Sequence, residues 1–161
     1  MEDRTPQASL DAQLSVLTGE CELARCVSLE NDPASPPPAW LPEGALRAGD
    51  IAAIARDLEP PRAGLAVLSA DWLQAAEAAG RLQRDLAALR DLYAEGIVAI
   101  ARTDCPLRPQ QWRALGFRPW WRDADSGVTL QGFNLYDYKH RPDWLNAKYW
   151  ANPELWDVYR W

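Results

Sequence analysis

The chain has 161 residues, 48% of them hydrophobic and 25% charged, which is the balance of an ordinary globular protein rather than a disordered one. Its formal net charge is −6, with eleven acids against four bases in residues 1–59 and near balance beyond them. That acidic stretch argues against nonspecific nucleic-acid binding, which needs Lys and Arg to neutralise phosphates, and no apolar run approaches the ~20 residues of a membrane helix.

The opening "MEDRTPQASLDAQ" lacks the basic start and apolar core of a secretory signal, so a cytoplasmic location is expected. Fifteen of the seventeen basic residues are Arg, which together with abundant Ala and Pro fits a GC-rich bacterial genome. Cys21, Cys26 and Cys105, with the single His140, supply no closed disulfide set, no zinc spacing and no Ser-His-Asp relay, so no metal is expected. The whole of 1–161 reads as one domain.

In chain order, Leu10, Leu14 and Leu17 fall at helical spacing after Ser9, whereas the overlapping "LSVLTG" fits a short strand equally well. "LARCVSLE" (23–30) reads as a strand closed by an acid. Residues 31–44 hold five prolines and read as a loop, because each proline removes a donor and restricts its predecessor. "IAAIARDL" is a short helix for which Asp50 is the natural cap.

"AGLAVLSAD" (63–71) is apolar on both faces, as in a buried parallel strand. Residues 72–94 are helical, with Leu82, Leu86, Leu89 and Tyr93 on one stripe and Gly80 weakening the middle. Glu77, Arg81 and Asp85 form an exposed ladder worth only about 0.3 kcal/mol per pair. "GIVAIAR" (96–102) is a second buried strand, and Pro109 to Gly116 brackets a short helix with proline first and glycine after its end. "FRPWWRD" and "VTLQGFNLYDY" flank the hairpin loop "ADSG", with Gly132 at an apparent change of phase that suggests a bulge. Strand, helix, strand, helix and an antiparallel hairpin predict an α/β fold: a mostly parallel, doubly wound sheet with a C-terminal edge hairpin.

Residues 47–138, from "RAGDIAAIARDLEPPRAGLAVLSADWL" through "GIVAIAR" to "RALGFRPWWRDADSGVTLQGFNLYDY", resemble in pattern the later part of a Rossmann-like S-adenosylmethionine (SAM) methyltransferase. The ending "YDYKHRPDWLNAKYWANPE" (136–154) resembles a group of short proteobacterial proteins, domain-of-unknown-function family 6231, whose length matches this chain. The first resemblance implies SAM as cofactor; the second implies no particular activity. The departure from the methyltransferase pattern is at the nucleoside turn, where the N-terminal region offers only Gly19 in "LTGE" and no GxGxG occurs.

Several positions are candidates for a cofactor or substrate site. Glu30 closes an early strand where such folds place a ribose-binding acid; the alternative, and the preferred reading, is a solvated loop carboxylate beside Asn31 and Asp32. Asp50 matches an acidic position near the adenine in methyltransferases, or a helix cap. Asp71 and Trp72 follow the strongest parallel strand, and Thr103 and Asp104 follow the next, so Asp71, Trp72 and Asp104 are expected to share a sheet rim; Asp71 and Asp104 are the candidate catalytic groups. Each also fits an ordinary cap or turn.

The closing stretch, 139–161, carries four of the nine tryptophans. Burying one such ring is worth ~2–3 kcal/mol, so the tail is expected to fold over the sheet edge as additional core. A second reading leaves Trp144, Asn146, Lys148 and Trp150 as an open aromatic surface for a sugar, base or peptide. The sequence thus predicts a methyltransferase-like, catalytically degenerate binding or interaction protein, with an active SAM-dependent methyltransferase as the alternative and the small-molecule or protein partner undefined.

Overall fold

The computed structural model describes residues 6–19 and 25–135. The expected tail over 139–161, including Trp144, Asn146, Lys148 and Trp150, lies outside the described residues.

The order is α1 (Pro6–Gly19), β1 (Cys26–Leu29), β2 (Leu46–Ala48), α2 (Ala52–Asp57), β3 (Ala63–Leu68), α3 (Ala70–Ala78), α4 (Leu82–Ala88), β4 (Ala94–Ala101), α5 (Pro109–Ala114), β5 (Arg118–Asp123) and β6 (Val128–Asn134). Residues 10–19 are therefore helix, not strand. β2, three residues long, had no signal of its own because three positions cannot display a period.

The strands form one mixed sheet in the order β2-β1-β3-β4-β6-β5. The first four are parallel, and β6 runs antiparallel to both β4 and β5. The chain is thus α/β, mostly parallel with an antiparallel edge, as the alternation of apolar runs implied. No helix among the described residues is long and apolar enough to cross a membrane.

Alternation along each strand sends side chains to two faces. One face carries Val27, Leu29, Leu68 and Ile97 and is covered by α2 to α5, which contribute Ile54, Trp72, Leu73, Leu86 and Trp112. The other carries Leu65, Val67, Val98, Ile100 and Leu130, and among the described residues it is covered by Leu10 and Leu14 of α1 and by Trp40 of the proline-rich loop.

The predicted helix over 72–94 is three pieces. Gly80 takes φ +65°, a left-handed conformation that costs other residues steric strain, and separates α3 from α4. A π-helical turn over Leu89–Tyr93 then delivers the chain to β4. The ladder is exposed only at Glu77: Asp85 is buried, held by Arg81 and flanked by Arg84, while Arg81 also lies 5.4 Å from the Trp72 ring centroid. The pair therefore ties α4 to α3 instead of decorating a surface.

Gly132 does not mark a bulge in its own strand. Val128 and Leu130 face one layer and Phe133 the other, which is regular alternation on a strand buried on both sides. The irregularity lies in β5, between Pro119 and Trp121, and it lays the Trp120 indole over Gly132, where an added Cβ would stand 1.9 Å from Cδ2.

Candidate functional site

Adjacent parallel strands β1 and β3 send their connections in opposite directions, β1 toward β2 and β3 toward β4. Such a divergence opens a crevice outside the carboxyl ends of the two strands. A cavity of about 390 Å³ lies there. Its apolar wall is Leu10, Trp40 and Ile100, and its polar wall includes Ser28, Glu30, Asp32, Ser69, Asp71 and Arg102.

Glu30 is committed within the protein. Arg47 stands beside Ser28 in the β1–β2 register, and its guanidinium grips the Glu30 carboxylate through Nε at 3.2 Å and through Nη2. Ser28 Oγ donates to Glu30 Oε1 at 2.6 Å. Hydrogen bonding to Glu30 raises the Arg47 pKa further, outweighing the opposing effect of burial. Arg47 Nη1 also donates to the Ser35 carbonyl at 2.6 Å, which anchors the proline-rich loop at the cavity edge. The same loop supplies Trp40 to the cavity wall.

Asp50 takes the cap role: its Oδ1 accepts the Ala53 N–H at 3.1 Å. The cap of α3 is Ser69, whose Oγ accepts the Trp72 N–H at 3.1 Å. With the helix starting at Ala70, Asp71 is an exposed first-turn residue on the cavity wall. Trp72 is rotated away from the expected rim into the helical layer, fully buried, with its indole N–H donating to the Gly49 carbonyl at 3.0 Å.

Thr103 and Asp104 are exposed in the turn after β4, and neither lines the cavity. The Asp104 carbonyl accepts a hydrogen bond from Gln74 Nε2, fixing that turn against α3. Gly19 ends α1. Of the rim proposed from sequence, the structure therefore leaves Asp71 on the cavity, beside the separate candidate Glu30, and places Trp72 and Asp104 outside it.

Trp40 and Arg102 were missed as site residues. A tryptophan inside a proline-rich loop was the available signal for the first, and a cation directly after a buried parallel strand for the second. The Arg102 side chain makes no hydrogen bond or ion pair among the described residues, and neither does that of Asp71.

The turn after β1 does not suit a nucleoside cofactor. β1 leaves through Glu30, Asn31, Asp32 and Pro33, with no glycine to permit close backbone approach. The nearby Gly49 would hold a Cβ in ordinary contact, 3.8 Å from the Glu30 carbonyl, so it forms no cradle. The acid that would meet ribose hydroxyls is occupied by Arg47.

The Cys26 side chain is buried and that of Cys105 half-buried. Burial pushes the Cys105 thiol above its ordinary value, the reverse of what an activated nucleophile needs.

The molecule is thus an α/β sheet with a small cavity where its strand connections diverge. The sequence profile described as "Family of unknown function (DUF6231)" matches residues 5–161, and the chain belongs to that family. No curated protein and no solved structure matched the chain.

Proposed function

We propose that this chain is a methyltransferase-like, catalytically degenerate protein that binds a small molecule in the cavity at the ends of β1, β3 and β4. The observation that carries the reading is the state of Glu30: the acid best placed to recognise a nucleoside is engaged by Arg47 and Ser28, while an open cavity remains beside it. Cavities of ~300–1,000 Å³ suit small ligands, and this one lies at the small end of that range. Asp71 reaches the cavity without the expected second acid, Asp104.

A second reading, an active SAM-dependent methyltransferase, is favoured by one feature. The sheet is mostly parallel with an antiparallel hairpin at one edge, which supports the resemblance stated for residues 47–138.

A thermal melting series with SAM and S-adenosylhomocysteine separates the two. A ligand at 100 times its Kd adds about 2.7 kcal/mol to stability, a shift of several degrees for a domain of this size. Degeneracy of the cofactor site predicts an unmoved Tm at millimolar concentrations of both compounds. A clear shift with either returns the chain to the cofactor-binding class.

A further inference from the structure

Resting on the reading of the cavity as a small-molecule site, we propose that its ligand is a small zwitterion of the α-amino-acid type. Its ammonium would be held at Asp71, its carboxylate at Arg102 and its apolar side chain against Trp40.

The placement follows from register. Leu68 of β3 is paired with Ala99 of β4, so the chain leaving β3 toward Asp71 and the chain leaving β4 toward Arg102 run side by side at one end of the sheet. Both side chains line the cavity, carry opposite charge and belong to no ion pair among the described residues. The other described cavity-lining acid at a strand end, Glu30, is by contrast neutralised by Arg47. An anion alone would satisfy Arg102 and meet the fields of Asp71 and Asp32; a cation alone would satisfy Asp71 and meet Arg102. A ligand carrying both charged groups on one carbon matches both side chains.

The rest of the wall agrees with this polarity. Leu10, Trp40 and Ile100 are each less than one tenth exposed and give the same cavity an apolar surface. Asp32 lies on the same rim with Oδ1 accepting the Ala34 N–H at 3.1 Å, so its second oxygen adds to the negative side of the mouth. The selectivity is therefore for amino acids with an apolar side chain, because a charged side chain would lose its hydration against Trp40 without gaining a partner.

The test is calorimetric titration of the full chain with L-phenylalanine and L-leucine, beside phenylalaninamide, which lacks the carboxylate, and 3-phenylpropionate, which lacks the ammonium. At least tenfold weaker binding of the two single-charge compounds is expected. Asp71→Asn is expected to lower affinity for L-phenylalanine and phenylalaninamide and to spare 3-phenylpropionate; Arg102→Gln is expected to do the converse. Both positions are exposed, so the variants fold, and unchanged melting curves confirm it. Equal binding of 3-phenylpropionate and L-phenylalanine overturns the zwitterion. A neutral probe, indole, runs in parallel. Indole binding that Trp40→Ala abolishes, without amino-acid binding, overturns this inference and leaves the cavity as a ligand site. No binding by any probe overturns both.

Discussion

On one face of the sheet Trp72, Trp112 and Phe117 are sealed beneath helices, and the Trp112 and Phe117 rings meet edge to face with centroids 5.0 Å apart. On the other, the described cover is α1 and a proline-rich loop, and the cavity opens between them and the strand ends. Both faces begin from the same apolar strands. The difference is that β3 and β4 are followed by helices that pack on one face, whereas β1 is followed by a proline-rich loop whose Trp40 packs on the other. The helical layer concentrates stability; the loop layer leaves room for a ligand.

Truncating one tryptophan on each face breaks or upholds that contrast. Trp72→Ala removes a fully buried ring, its hydrogen bond to Gly49 and the surface beneath Arg81, and should cost about 3–5 kcal/mol. Trp40→Ala, beside space that already exists, should cost roughly 2 kcal/mol because fewer contacts are lost. Urea denaturation midpoints give both values, and equal losses would sink the distinction between the faces.

Arg47 is the hinge of the loop layer. Replacing it by Met keeps much of its length and leaves Glu30 with Ser28 alone. Stranding one member of a buried pair costs about 3–5 kcal/mol, and the residual exposure here, 17% for Arg47 and 11% for Glu30, reduces that to about 2 kcal/mol. Combining Arg47→Met with Glu30→Gln should recover part of the loss, since the double variant leaves no uncompensated charge. Proteolysis should cut the 31–44 loop faster in the single variant. A loop equally resistant in both proteins would mean that the prolines alone hold it.

What could be read beforehand follows the same division. β3 and β4 were legible because each is an apolar run too short for a buried helix and bounded by turn residues, and Gly80 announced the break between α3 and α4. Trp72 was assigned to the rim because the helix was expected to begin there; the Ser69 cap starts it earlier and turns the ring toward the sheet. Asp85 was read as solvated because spacing on a helix does not reveal which side a neighbouring turn will cover. The Glu30–Arg47 pair joins residues from two strands separated by a long loop, and no local pattern encodes that pairing. The location of the site was visible at the strand ends, but most of its wall was not.

A smaller effect probes the sheet's far edge. Gly132→Ala puts a methyl group into the Trp120 indole, and because that ring is 41% exposed it can swing outward instead of unfolding the strand. The expected cost is about 1 kcal/mol, with Trp120 emission shifted to the red. Pairing it with Trp120→Ala should abolish the penalty, since the clash has then been removed. A penalty that persists would locate the strain in the β6 backbone.

The least disruptive change tests the hairpin turn that joins β5 to β6. Ser126 Oγ donates to Asp123 Oδ2 at 2.5 Å and the Asp125 N–H donates to Oδ1 at 3.2 Å, so the ionised carboxylate is favoured. The serine hydroxyl is the largest cause of a lowered Asp123 pKa. A carboxyl whose folded value is depressed stabilises the fold above its unfolded value and loses that contribution as pH falls through the folded one. In Ser126→Ala the Asp123 carboxyl should therefore titrate closer to the ordinary carboxylate range by NMR. The small gap in Tm between variant and parent should be present at neutral pH and close in acid. A gap that instead widens on acidification would assign the turn's stability to groups other than Asp123.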